Sequence, residues 1–279
     1  MAVWDLSDIP WDQFDPTKVD PDSLKIAKAA ALTESNGLLY GEHLAVLFRD
    51  DPYFLTLVGD WGAEEEQHGM ALGRWAQMAD PSFDFADALS RFRAGYEIPS
   101  LGETSVRGSL VGEMVARCIV ESGTSSLYSA LRDHSEEPVF KAICGKIAAD
   151  EFRHYKLFLT TLERLLQDQQ VGAVRRILIA LGRVRESEDD ELSYAFHVAN
   201  DAPDLPYQRK ICATAYSGIA YALYRPEHAK RATRMMVKAV GLDPQGKLAA
   251  VLGEGIWRFV SRKAAQHRRA TQEQSSIAA

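Results

Sequence analysis

Trp61-Gly62-Ala63-Glu64-Glu65-Glu66-Gln67-His68 is the stretch from which the fold can be read. It contains Glu65-x-x-His68, and Asp150-Glu151-Phe152-Arg153-His154 repeats the same spacing. Residues three apart share one face of a helix, so each Glu/His pair aims at one point. At helical steps the first pair sits among Phe54, Val58, Trp61, Leu72 and Trp75. The second sits among Phe140, Cys144, Ile147, Phe158 and Leu162. Both are apolar stripes interrupted only by a carboxylate and an imidazole. A carboxylate buried without a partner is strongly destabilising. Two such stripes facing each other are neutralised together by a pair of cations.

A four-helix bundle holding two metals this way draws one further carboxylate from each of the other two helices. Glu34, with Ala27, Leu38, Ala45 and Phe48 on its face, is one candidate; Glu121, with Met114, Cys118, Ser125 and Tyr128, is the other. Their spacings match: Glu34 to Glu65 is 31 positions and Glu121 to Glu151 is 30. The two halves are offset by 87 positions at Glu34/Glu121 and by 86 at His68/His154, so the half-bundle is written twice. Glu42 competes with Glu34 but lies only 23 positions before Glu65. His43, His134, His197, His228 and His267 have no matching partners and are read as surface or structural residues.

Around this repeat the chain reads as all-α. Residues 1–21, with Pro10, Pro16 and Pro21, form an irregular arm whose Trp4, Trp11 and Phe14 lie on the body. Asp22 or Ser23 caps a long first helix ending near Arg49, and a second runs from Pro52 to Ala79. Residues 81–103 make a crossover; helices follow over 104–132 and 138–167, so that 22–168 is the bundle. Additional helices are expected over 171–198, 207–224, 226–240 and 244–269, packed on the bundle as a unit over 169–270. Residues 271–279 read as a disordered tail.

Composition narrows the function classes. The 279 residues are 46% hydrophobic and 25% charged, an ordinary globular balance with no membrane span. Residues 1–20 lack the basic and apolar segments of a signal peptide, and three scattered cysteines fit a reducing cytoplasm. The net charge of −7 is unevenly spread. Residues 1–204 hold 19 Lys and Arg against 35 Asp and Glu, whereas residues 205–279 hold 13 against 4. Such a basic third suits an acidic partner or an acidic face of its own homodimer. Arg225, Lys230, Arg231, Arg234 and Lys238 are its densest run.

Trp61-x-Ala63-Glu64-Glu65-x-x-His68-Gly69 and Asp150-Glu151-x-Arg153-His154 resemble the two metal motifs of the soluble acyl-carrier-protein desaturases. Those enzymes belong to the ferritin-like di-iron carboxylate superfamily, and the likeness covers residues 25–166. It implies a ferritin-like four-helix bundle with a di-metal site, two irons and dioxygen as co-substrate. A carrier-bound acyl substrate and an external donor such as ferredoxin are implied as well. Residue by residue, it implies metal ligation by Glu34, Glu65, His68, Glu121, Glu151 and His154, with Glu65 and Glu151 bridging. Thr124 matches the threonine that the family places beside its oxygen-binding face, and Asp150 an aspartate on its electron route. Gln67 departs from the pattern, standing where those desaturases carry arginine.

The ligand chemistry points the same way. Four carboxylates balance two divalent ions, and oxygen plus imidazole without thiolate suits iron, or manganese at either position, above copper or zinc. Ligating imidazoles donate their second N–H to a carboxylate, for which Asp150 and Glu64 are the expected acceptors across the bundle. Arg153 is expected to pair with acids at the helix flank. The expected function is therefore an oxygen-dependent oxidase or oxygenase acting on an unactivated C–H bond. A hydroxylase or N-oxygenase on another small molecule or on tRNA is the alternative. Ferroxidase or storage activity ranks lower because of the additional helices, and a nucleic-acid partner lower still.

Overall fold

In a computed structural model of the chain, residues 4–96, 102, 104–186 and 190–278 are described. Among them there is no strand. The helices are α1 (Pro21–Glu34), α2 (Gly37–Leu47), α3 (Pro52–Ala79), α4 (Phe85–Gly95), α5 (Leu110–His134) and α6 (Pro138–Asp168). They continue as α7 (Ala173–Arg185), α8 (Asp190–Asn200), α9 (Arg209–Leu223), α10 (Pro226–Ala239) and α11 (Lys247–Ala278). No helix among the described residues is long and apolar enough to cross a membrane.

The bundle is two hairpins face to face. α1 and α2 together pack along α3, α5 packs along α6, and α3 meets α6 across the middle. Short turns hold each hairpin, and capping side chains start its second helix. Asp51 accepts from the Phe54 N–H ahead of α3, with Pro52 in the first turn. Glu137 accepts from the Val139 and Phe140 N–H groups ahead of α6. The Glu137 carboxylate also takes the Trp75 indole N–H at 2.8 Å and the Asp15 N–H at 3.1 Å, joining α3, α6 and the arm at one buried point. Both apolar stripes read from the sequence are buried along their whole length.

Several expected boundaries move. Asp20, not Asp22 or Ser23, caps α1, accepting from the Ser23 N–H with Pro21 in the first turn. The long first helix is broken after Glu34 by Ser35 and Asn36. The break has two supports. Arg93 of α4 donates to the Ser35 carbonyl at 2.6 Å and to Asn36 Oδ1 at 3.3 Å. At Gly37 a Cβ would stand 2.2 Å from Glu65 Cβ, so only glycine lets α2 lie this close to α3. Periodicity carries no such signal, because the apolar pattern continues across the break.

The crossover contains α4, capped by Asp84 and burying Ala88 and Phe92; Pro99 and its neighbours lie outside the described residues. α5 begins at Leu110 rather than near Thr104, because Gly108 adopts a left-handed φ of 78° and Ser109 then caps the helix. The pattern over 171–198 divides into α7 and α8. The tail expected to be disordered continues α11 to Ala278. No proline or glycine follows Gly255, so nothing local ends that helix.

Around the bundle, α10 lies on α5, α8 on α1, and α9 joins α8 to α11. Much of the basic run on α10 is occupied internally. Arg225 donates to the Asp133 carbonyl at 2.9 Å, Lys230 pairs with Glu254 at 3.2 Å, and Arg231 donates to Ser129 and to the Ser125 carbonyl. These contacts fasten α10 to α5 and α11. Arg225, Arg231, Arg234 and Lys238 are all exposed nonetheless.

Candidate metal centre

The centre sits where the four long faces converge. Glu65 and His68 come from α3, Glu121 from α5, Glu151 and His154 from α6, and Glu34 is the last residue of α1. All six are buried. They form two overlapping groups, Glu34, Glu65, His68 and Glu151, then Glu65, Glu121, Glu151 and His154. Within each group the ligand atoms lie inside 4.8 Å of one another, and Glu65 and Glu151 belong to both. Glu42 is exposed on α2 and joins neither.

Each imidazole turns Nδ1 inward. His68 Nδ1 is 3.3 Å from Glu151 Oε1, 3.7 Å from Glu34 Oε2 and 3.8 Å from Glu65 Oε2. His154 Nδ1 is 2.9 Å from Glu65 Oε1 and 3.7 Å from Glu121 Oε2. Both Nδ1 atoms are buried without a hydrogen bond. So are Glu65 Oε1, Glu121 Oε2 and Glu151 Oε1. Five buried donor atoms pointing at one another and satisfied by nothing in the chain are costly unless cations fill the space between them. The oxygen and nitrogen set, without sulfur, fits a pair of iron or manganese ions.

The outer side of each ring is held by the opposite helix. His68 Nε2 lies 3.1 Å from Asp150 Oδ2, and His154 Nε2 lies 2.8 Å from Glu64 Oε2. Arg153 reaches both acceptors, at 2.7 Å from Asp150 Oδ1 and 3.0 Å from Glu64 Oε2. These partners fix each ring's orientation and leave Nδ1 free to ligate. The spacing behind this is visible in the chain, since each acceptor immediately precedes a glutamate of the centre.

On the protein's own charges the centre holds protons. Burial, and then the charge of Glu65, pushes the Glu34 carboxyl well above the usual carboxylate range. Glu121 rises likewise through burial and the charge of Glu151. Burial opposes ionisation of Glu65 too, but the nearby His154 and His68 imidazoles outweigh it and hold that carboxyl low. Burial works against charging His68, yet Asp150, Glu151, Glu34 and Glu65 raise it well above its ordinary value. His154 is raised to about 9 against burial, by Glu64 and Glu65. Ligation needs ionised carboxylates and neutral imidazoles, so an entering cation displaces these protons.

Three further side chains touch the ring of ligands. Thr124, one turn beyond Glu121, donates its hydroxyl to Glu151 Oε2. The Tyr128 hydroxyl donates to Glu34 Oε1 at 2.5 Å. Trp4, from the arm, donates its indole N–H to Asp150 Oδ2 at 2.7 Å and stacks on His68 with ring centroids 6.0 Å apart. Gln67, the position that departs from the desaturase pattern, holds the Trp4 carbonyl at 3.0 Å. Sequence reasoning did not assign Trp4 or Tyr128 a role here. The only local hint for Tyr128 is its place seven residues after Glu121, on the same helical face.

No family model matches the chain. It is 31% identical over 126 residues to "Acyl-[acyl-carrier-protein] desaturase 6, chloroplastic" of Oryza sativa subsp. japonica, covering 42% of this chain and 29% of that protein. The protein of the same name from Oryza sativa subsp. indica matches with the same identity and coverage. The chain thus spans under a third of the length of these curated relatives. The likeness supports a distant relation to acyl-carrier-protein desaturases and hints at an oxidoreductase.

Proposed function

We propose that the chain is an oxygen-dependent, non-haem di-iron oxidase that attacks an unactivated C–H bond of an acyl chain delivered on a carrier protein. The observation that carries this reading is the pair of buried ligand groups sharing Glu65 and Glu151. Glu34, Glu65 and His68 would hold one iron, and Glu121, Glu151 and His154 the other, with Glu65 and Glu151 common to both. Two irons held by these residues would supply the redox chemistry for reducing dioxygen and attacking a strong C–H bond. The distant likeness to desaturases favours a carrier-bound acyl substrate.

The chain's own residues then have assignable tasks. Asp150 and Glu64 keep the imidazoles in the tautomer that ligates through Nδ1, and Arg153 holds both carboxylates in place. Trp4, Asp150 and His68 form a hydrogen-bonded path from the arm to the centre, suited to electrons from a ferredoxin-like donor. Thr124 positions one oxygen of Glu151. Thr124→Val is expected to keep both metals and slow dioxygen consumption by about tenfold or more. Metal analysis beside an oxygen electrode checks this, and loss of metal in that variant would make Thr124 a support for ligation alone.

The reading is tested by loading the protein anaerobically with Fe2+, then adding dioxygen, a ferredoxin reducing system and a saturated acyl-carrier protein. One iron per ligand group and an acyl product lacking one H2 are expected. A product carrying an added oxygen atom would make it a hydroxylase. Continued iron uptake beyond the two ligand groups, with the acyl chain unchanged, would replace the proposal with iron handling.

A further inference from the structure

A second group of metal-binding side chains lies away from the bundle centre, where α8 ends against α9. His197 and Asp201 stand four positions apart at the end of α8, and Cys212 lies in the first turn of α9. The imidazole nitrogen, a carboxylate oxygen and the sulfur fall within 4.8 Å of one another. His197 Nδ1 is 2.8 Å from Asp201 Oδ2, and Cys212 Sγ is 3.9 Å from the same oxygen. Donors around a tetrahedral zinc-class ion stand roughly 3–4 Å apart, so only small adjustments separate this triad from a ligand set.

The surroundings suit an ion better than a plain His–Asp pair. His197 and Cys212 are buried while Asp201 reaches solvent, which gives an entry side. Asn200, just before Asp201, donates to the Phe196 carbonyl at 3.0 Å and to the Lys25 carbonyl at 3.2 Å, fixing the helix end. Tyr207 and Tyr194 flank the imidazole, with ring centroids 5.4 and 6.1 Å away. Beyond Asp201 and His197 opens a cavity of about 300 Å³ that Arg91, Tyr194 and Pro203 also line. All three cysteines border the apolar core, but among the described residues only Cys212 joins an imidazole and a carboxylate.

We propose that His197, Asp201 and Cys212 bind one zinc-class divalent cation, with a water or small anion from the cavity as the fourth ligand. Thiolate and carboxylate balance the two positive charges, the imidazole ligates neutral, and the thiol proton leaves to solvent. One sulfur, one nitrogen and one oxygen donor select zinc or cobalt over magnesium or calcium. The ion would tie α8 to α9 across residues 201–208, independently of the bundle centre.

Cobalt distinguishes the two centres, because only this one offers a thiolate. Titrating the whole protein with Co2+ is expected to produce a sulfur-to-cobalt charge-transfer band in the near ultraviolet, saturating at one cobalt per chain and abolished by excess Zn2+. Cys212→Ser should lose the band with an unchanged helical circular dichroism spectrum. His197→Asn should weaken cobalt binding by about tenfold or more. Glu151→Gln should leave the band in place. The proposal is overturned by no band at saturating cobalt, by a band that survives Cys212→Ser, or by wild-type affinity in His197→Asn.

Discussion

Replacing Glu65 and Glu151 together by glutamine is expected to abolish stable metal binding at the bundle centre and all dioxygen consumption with it. Each of these residues belongs to both ligand groups, so the double variant takes two oxygen ligands from each prospective ion. It also removes two negative charges from a buried space where the balance of a cation pair depends on them. Single variants Glu34→Gln or Glu121→Gln touch one group each and are expected to lose less. Metal content after gel filtration measures the difference. Full occupancy in the double variant would remove both residues from the centre. In the wild-type protein, loading should release protons into a weakly buffered dye solution, and affinity should fall as pH drops. The sign follows from the raised values of Glu34, Glu121, His68 and His154: each binds its proton more firmly than usual, and acid favours that proton over the cation.

Gly37→Ala is expected to damage both stability and metal binding, although residue 37 carries no ligand atom. The added Cβ would meet Glu65 Cβ at 2.2 Å and the Gly62 carbonyl oxygen at 2.9 Å. These atoms are fixed to the backbone of α3, so relief requires α2 to move away or α3 to bend at Glu65. Overpacking of this kind costs about 1–3 kcal/mol, occasionally more. That corresponds to a fall in melting temperature of roughly 2–12 °C for a chain of this size class. Gly59→Ala on α3 is the control, because a Cβ there meets nothing within 4 Å. It should be neutral or slightly stabilising, since alanine favours a helix by about 0.5–1 kcal/mol over glycine. Equal melting temperatures for the two variants would show that the α2–α3 approach is not constrained at Gly37.

The two predictions concern different kinds of information in the chain. The all-α class, the long second, third and fourth bundle helices and the candidate ligands rest on periodicity within single helices, which any short window displays. The repeat of Glu34/Glu65 in Glu121/Glu151 needs only counting. Even Asp150 and Glu64 as imidazole partners follow from their place beside Glu151 and Glu65. The distribution of charge was a weaker guide. It marked α10 as basic but not the partners that Arg225, Lys230 and Arg231 take on neighbouring helices.

What tertiary structure alone decided are contacts between residues far apart in the chain. The break after Glu34 is set by Arg93 from α4 and by the close approach of Gly37 to α3, and an apolar pattern is blind to both. Trp4 reaches Asp150 across 146 positions, and Tyr128 reaches Glu34 across 94. His197, read from the sequence as a surface or structural histidine, meets Cys212 only because the turn after α8 folds α9 back beside it. Helical periodicity is a property of neighbours three and four apart, and so it is written locally. Which faces then meet is settled by packing the helices of the described residues together, and no segment of this chain carries that information by itself.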